Sequence, residues 1–354
     1  MLIRGEIMTD YFERYMHGLI ITTGRKFWLP GKFSTLSSTG NGIYLLCLSM
    51  LFCGSAFASN YPPVSVSMQA IKVSAHVYYV SGTAGIATDN EGFVSNSAFI
   101  VTDEGVVVFD TLGSPSLAVK LLQVIRKITD LPVVRVYISH YHADHIYGAQ
   151  IFEELGAEIV APDGSSDYLQ SDVAIERLQE RRNSLGPWVN SDTRLVEPDR
   201  YLLDEESFEL AGVKFRVLNV GSAHSEGDLV MWIENEKILL SGDIIFEGRI
   251  PYLGSTNTAR WLEVLQNMQS QDVEAIIPGH GQAASDPLKL IKLTFDYLFY
   301  VRQKMANAVE NWIPFDQAYD EVDWAQFIEF PAFFEANRRN AYSVYLSLEE
   351  EALQ

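Results

Sequence analysis

The chain has 354 residues, of which 47% are hydrophobic, 20% charged and 12% aromatic. That is enough apolar material for one large core or two modest ones, and it excludes disordered, collagen-like and low-complexity classes. Twenty-six Lys and Arg against 46 Asp and Glu give a formal net charge of −20, and no basic cluster offsets the repulsion from a phosphate backbone, so nucleic acid is not an expected partner.

The first stretch with a character of its own is Ile43 to Ala58, IYLLCLSMLFCGSAFA. Its apolar run is shorter than the roughly 20 residues needed to span a bilayer and ends in small residues. Arg25, Lys26 and Lys32 supply a positive flank, and Ala56 and Ala58 an A-x-A cleavage pattern. Residues 1–58 are therefore expected to be a signal peptide and leader, with an uncleaved anchor as the alternative reading. The mature chain would start near Ser59, be periplasmic or secreted, and keep no stable membrane association. Both cysteines, Cys47 and Cys53, fall inside this leader. The mature protein can then use neither disulfides nor thiolate metal ligands.

From about residue 70 to 280, short β-branched runs alternate with helical stretches, which points to an α/β layered architecture. Strands are expected at His76–Val80, Ser97–Val101, Val106–Phe109, Val133–Ile138, Glu158–Val160, Phe208–Leu210, Val213–Val220, Leu229–Ile233, Lys237–Leu240 and Val273–Ile277. A helix over Ser114–Ile128 opens with Ser114 as N-cap and Pro115 at the first helical position. Another follows Ala143, and a third covers Asn257–Met268. Roughly Ser184 to Asp199 reads as a long loop. Residues 285–354 change to a helix-only pattern, with Phe334, Ala341, Tyr345 and Leu348 spaced to pack against the body. The expected organisation is thus a leader over 1–58, a metal-binding α/β domain over 59–284 and a helical C-terminal extension over 285–354.

Five of the seven histidines form one set: His140, His142, His145, His224 and His280. His140 follows the apolar strand VVRVYIS, His224 follows VLNVGSA, Asp243 follows KILLSG and His280 follows AIIPG. Ligand-type residues thus sit just beyond the carboxyl ends of four strands, the edge of an α/β sheet where binding sites collect. The segment Ser139-His140-Tyr141-His142-Ala143-Asp144-His145 packs four ligand-type side chains into six residues, the first two on extended chain and the last two opening a helix. Imidazole and carboxylate without thiolate suit zinc, iron or manganese in an open catalytic site. His76 lies at strand period in HVYYV and reads as an outer-face residue.

The H-x-H-x-D-H string, the downstream His224, the Gly242-Asp243 step and the Pro278-Gly279-His280-Gly281 step resemble the metallo-beta-lactamase fold superfamily over residues 70 to 282. The resemblance implies an αββα sandwich with the helical extension appended. It also implies two Zn2+ ions, with Fe or Mn as substitutes. The first would be held by His140, His142 and His224 and the second by Asp144, His145 and His280, with Asp243 bridging them. Aspartate at the bridging place is similar to glyoxalase II and the lactonases rather than to the best-known lactamases, so the fold's name does not name the activity. The tract from Gly242 to Tyr252, with Trp261 and Leu262, further resembles a periplasmic subgroup of zinc hydrolases associated with quinoprotein dehydrogenases.

On this reading a metal-bound hydroxide attacks the carbonyl of a small-molecule ester, thioester, lactone or amide, and Asp144 holds or moves the water's proton. Asp110, at the end of VVVFD, is placed in sequence to accept the other ring N–H of a ligand histidine. Arg249, Tyr252 and Trp188 are candidates for substrate contact. The alternatives are a beta-lactamase proper and an iron-dependent sulfur dioxygenase on the same fold. A diiron redox enzyme of this fold is disfavoured, because it usually carries glutamate where this chain has His142.

Overall fold

The computed structural model describes residues 61–254 and 256–353. The expected signal sequence and both cysteines lie outside the described residues. The first sheet is laid down in chain order by β1 (Ile71–Lys72), β2 (Val77–Val80), β3 (Ser97–Val101), β4 (Val106–Phe109), β5 (Val133–Tyr137), β6 (Glu158–Pro162) and β7 (Arg200–Leu202). Its first four strands pair antiparallel, and β4 to β7 pair parallel. The second sheet contains β8 (Glu205–Leu210), β9 (Val213–Asn219), β10 (Leu229–Ile233), β11 (Ile238–Leu240) and β12 (Ala275–Ile277), in the spatial order β12-β11-β10-β9-β8. Only β11 and β12 are parallel neighbours there.

Residue patterning explains where each strand lies. β4 and β10 are buried at every position, as continuous apolar strands covered on both faces must be. β9 alternates, with Val213, Phe215 and Val217 inward. These three pack with Ile100, Val107, Phe109 and Met231 in a core between the two sheets.

Helices α1 (Pro115–Arg126), α2 (Ala143–Ile146), α3 (Ala149–Glu153), α4 (Ser165–Leu169) and α5 (Asp172–Ser184) follow strands of the first sheet. Leu117, Leu121 and Ile125 of α1 and Phe152 of α3 pack with Phe99, Val108 and Val136 of the sheet in a second core. Helices α6 (Thr258–Met268), α7 (Pro287–Glu310), α8 (Phe315–Glu321) and α9 (Phe333–Ala352) build the outer layer of the second sheet. Trp261 of α6, Leu298 and Val301 of α7 and Val344 and Leu348 of α9 share one core with Val230, Trp232 and Ile276 of that sheet. The layers are therefore α, β, β, α, and the C-terminal helices continue the fourth layer rather than forming a separate core.

The helix starts are chemically explicit. The Ser114 hydroxyl accepts from Leu117 N at 3.1 Å ahead of Pro115, and the Asn257 side chain accepts from Arg260 N at 3.0 Å, each satisfying one otherwise unpaired helix N–H. Five elements go beyond the sequence expectation: β1, β7, α4, α5 and α8. In α5 only Ala174 and Leu178 are buried, too sparse a stripe to show as periodicity. β8 begins at Glu205, earlier than expected, because its outward positions on an edge strand are polar. The loop between α5 and β7 is free of helix and strand, as expected.

Candidate metal centre

The ligand-type residues sit where strands end. β5 runs into Ser139 and His140, β9 leads to His224, β11 to Asp243 and β12 to His280. Because β9, β11 and β12 all run antiparallel to β10 or parallel to each other, their carboxyl ends share one edge. That edge meets the end of β5, where Leu229 N donates to Ser139 O at 2.7 Å across the sandwich. His142 keeps an extended conformation (φ −66°, ψ 147°) before α2 opens, and Asp144 and His145 occupy the first turn of that helix.

Seven side chains converge here. His140, His142, His224 and Asp243 offer ligand atoms within 4.8 Å of one another, and so do Asp144, His145 and His280. His142 Nδ1 lies 2.9 Å from His140 Nε2 and 3.0 Å from His224 Nε2. Asp243 stands between the groups: its Oδ2 is 3.4 Å from His224 Nε2, 3.8 Å from His140 Nε2 and 3.3 Å from His280 Nε2, and its Oδ1 is 3.3 Å from His145 Nε2. Asp144 Oδ2 is 3.6 Å from His145 Nε2 and 3.4 Å from His280 Nε2.

Two glycines admit this convergence. A Cβ on Gly279 would fall 2.0 Å from Asp243 Oδ1, and one on Gly242, at φ +49°, would fall 2.6 Å from Ser139 Cβ. The Gly-Asp and Pro-Gly-His-Gly steps are thus required by close backbone approach.

The outward nitrogens of the rings are held from behind. His145 Nδ1 lies 2.9 Å from Asp110 Oδ2, while Asp110 Oδ1 accepts from Ser139 N at 2.6 Å. His280 Nδ1 donates to Val94 O at 2.7 Å, and His140 Nδ1 lies 2.9 Å from Ser139 Oγ. Asp110 itself has φ +68°, a strained backbone for a non-glycine residue and of the kind that clusters at functional sites. Behind the cluster, Phe246 stacks on the His280 ring at 5.2 Å and Trp261 lies edge-on to His224 at 5.1 Å.

Burial governs the charge states. It holds His140 well below the ordinary imidazole range and pushes His142 down to about 4 and His224 to about 3, so these rings present neutral lone pairs, the form that binds metal. Burial opposes charge on His145 too, but Asp110, Asp243 and Asp144 around it raise it well above that range. Against its own burial, Asp243 is held well below the carboxylate range by His280 and His145. The His145 Nε2 and Asp243 Oδ1 atoms are buried and find no hydrogen-bond partner among the described residues. They face each other at 3.3 Å as an ion pair, and a cation between them would satisfy both. The donor set of imidazole and carboxylate fits zinc, iron or manganese.

Of the other expected residues, Tyr252 stands beside the cluster, its ring 6.1 Å from that of His142. Arg249 is half-buried and its Nε donates to Ile250 O at 3.4 Å; among the described residues it makes no hydrogen bond or ion pair with the cluster. Trp188 is partly buried and packs against the core of the first helical layer. His76 pairs with Glu236, away from the cluster.

Four contributors were not legible beforehand: Ser139, Val94, Asn340 and Asp228. Asp228 Oδ2 accepts from Ala223 N at 3.1 Å and Ser225 N at 3.0 Å, clamping the loop that presents His224. Burial pushes this carboxyl up to about 7, against the hydrogen bonds from Ser225 and Ala223. Asn340 of α9 accepts from Leu253 N at 2.9 Å and donates to Pro251 O at 2.7 Å, fixing the loop that carries Tyr252.

Comparison with known proteins agrees with this geometry. The model of the metallo-beta-lactamase superfamily matches residues 90–280. Metallo-beta-lactamase IND-1 of Chryseobacterium indologenes is 24% identical over 64% of this chain and 87% of its own length. A linear primary-alkylsulfatase of a Pseudomonas strain is 22% identical over 63% of this chain, and the match spans about half (49%) of that enzyme. Among solved structures, a metallo-beta-lactamase from Pontibacter korlensis superposes with a TM-score of 0.52 at 21% identity, covering 66% of this chain and 99% of its own. The stereoselective inverting sec-alkylsulfatase Pisa1 from Pseudomonas sp. reaches 0.62 at 16% identity, over 79% of this chain and 50% of its own. With the family model covering more than half of the sequence and a His/Asp metal-binding cluster at the sheet edge, the chain belongs to the metallo-beta-lactamase superfamily and is a metal-dependent hydrolase.

Proposed function

We propose that the centre holds two divalent cations, zinc in the first place and iron or manganese as substitutes, and hydrolyses the carbonyl of a small-molecule ester, thioester, lactone or amide. The observation that carries this reading is the pair of ligand groups with Asp243 within reach of both. His140, His142 and His224 would hold one cation, Asp144, His145 and His280 the other, and Asp243 both. Bound there, the cations supply Lewis acidity and lower the pKa of a water toward about 7.

The chain's own groups do the remaining work. Asp110 accepts the proton on His145 Nδ1 and so leaves Nε2 as the nitrogen that faces inward, where a cation would replace its proton, and the Val94 carbonyl likewise turns Nε2 of His280 inward. Asp144 has a side chain 26% exposed, against 5% for Asp243, so it is the carboxylate on the open side and is placed to take and hold a proton from water. Tyr252, beside His142, borders the approach. Phe246 and Trp261 exclude water from the rear of the rings.

The same reading takes residues 59–284 as the metal-binding domain and residues 285–354 as its helical extension. It takes residues 1–58 as a cleaved signal that delivers the enzyme to the periplasm or outside the cell. N-terminal sequencing of the exported protein tests that point, and a start at Met1 would remove it.

The main test is elemental analysis of the purified enzyme together with ester, thioester, lactone and lactam substrates, before and after chelation. Sulfate esters join the panel because alkylsulfatases are among the relatives. Two zinc ions per chain and chelator-sensitive turnover of a carbonyl substrate are expected. Turnover of the lactam alone would make the enzyme a beta-lactamase proper, and turnover of the sulfate ester alone would replace the carbonyl reading. A single iron with oxygen consumption on a persulfide would replace it with the sulfur dioxygenase.

A further inference from the structure

The outward face of α9 carries apolar side chains at its middle, between charged ends. Phe334, whose spacing set it against the body together with Ala341, Tyr345 and Leu348, is instead 79% exposed; Tyr342 is 46% exposed, Leu346 40% and Leu353, just beyond the helix, 88%. Phe315 lies 4.8 Å from the Tyr342 ring. Single exposed apolar side chains need no explanation, whereas a row of them along one helix marks an interaction surface.

Charge on this face is segregated. Arg338 and Arg339 stand near the start of α9, and Glu349, Glu350 and Glu351 stand near its end. Arg338 pairs with Asp316 and Glu351 with Arg302, each at 2.6 Å. Arg339, Glu349 and Glu350 are exposed and make no ion pair among the described residues.

We propose that this face is the two-fold interface of a homodimer in which α9 packs antiparallel on α9 of a second copy. With the two-fold axis level with Val344, whose own side chain is buried in the body, Tyr342 meets Leu346 of the other copy, Arg339 meets Glu349, and Arg338 meets Glu350. These three pairs are then apolar with apolar or basic with acidic, while Glu335 falls opposite Leu353. A parallel arrangement would set Arg on Arg and Glu on Glu, so the charge pattern itself selects the antiparallel one. A two-fold contact also requires a self-complementary surface, which this helix is. Its 20 residues give a contact about 30 Å long.

Sedimentation equilibrium of the full chain over a concentration series tests the proposal. The wild type is expected to be dimeric and Leu346→Glu monomeric. Arg339→Glu and Glu349→Arg should each weaken the dimer by about tenfold or more, since each opposes like charges twice across the axis. The double variant R339E/E349R should return to near wild-type association, a recovery that a merely misfolded variant would not show. A monomer at every concentration overturns the proposal, whether α9 is then bare or covered by residues 1–60. A dimer indifferent to Leu346→Glu, or a double variant with native circular dichroism that stays monomeric, overturns it as well.

Discussion

The two halves of the metal centre are supported differently. The group of Asp144, His145 and His280 is backed by a full carboxylate, Asp110, and by the Val94 carbonyl. The group of His140, His142 and His224 is backed only by the Ser139 hydroxyl at His140, while His224 Nδ1 is buried without a hydrogen-bond partner among the described residues. A charged acceptor behind an imidazole raises its basicity and fixes its orientation far more than a hydroxyl does. The comparison teaches that the His140, His142 and His224 group owes its geometry to packing against Trp261 and to the Asp228 clamp, and the Asp144, His145 and His280 group to its polar partners.

The hardest blow to both halves at once is Asp243→Ala. It should empty both sites and bring turnover below detection, as read by elemental analysis and activity; two retained metals with full activity would remove Asp243 from the bridge. Asp110→Asn should separate the halves. Metal affinity of the Asp144, His145 and His280 group is expected to fall about 10- to 100-fold while the other group keeps its cation, seen as two steps in a chelator-competition titration where the wild type shows one.

Asp228 tests the clamp on the weaker-backed half. Asp228→Ala strands the Ala223 and Ser225 N–H groups, at about 1–3 kcal/mol each, whereas Asp228→Asn keeps an acceptor. The Asp228 carboxyl is raised to about 7 in the fold, above its unfolded value of about 3.9. Its contribution is therefore fully present below pH 4 and is lost as pH rises through 7. Thermal melts of the metal-free protein should show the Asn variant gaining on the wild type across that window. A constant difference would place the proton elsewhere. The smallest effect is expected from Ser139→Ala, less than about tenfold on the affinity of the first group, because only a neutral hydrogen bond is lost; a larger drop would make the two halves equivalent.

Much of the site was legible because its residues announce themselves at short range. His140, His142, Asp144 and His145 fall in six consecutive residues, and Gly242, Asp243 and Gly279 mark where backbones must touch. Asp110 could be placed because a strand end facing the same edge is a local property. The supports that were missed act over long separations or without a distinctive residue type. Val94 contributes only a carbonyl, 186 residues from His280. Asn340 reaches back 87 residues to Leu253, and Asp228 resembles any turn aspartate until its two N–H partners are seen. For Arg249 and Trp188 residue type suggested substrate contact, and the fold gives one a bond to the Ile250 carbonyl and sets the other, partly buried, against the core of the first helical layer.

By itself the sequence determined the chemistry of the donors, the α/β alternation and the strand ends from which the donors project, because these follow from side-chain type and from hydrophobic period. Only the tertiary structure decided which nitrogen of each ring faces inward, which supports besides Asp110 stand behind the rings, and that the C-terminal helices continue the second sheet's core and hold the Tyr252 loop. Those outcomes depend on how two sheets approach across a sandwich, and close packing fixes that approach through contacts between residues far apart in the chain.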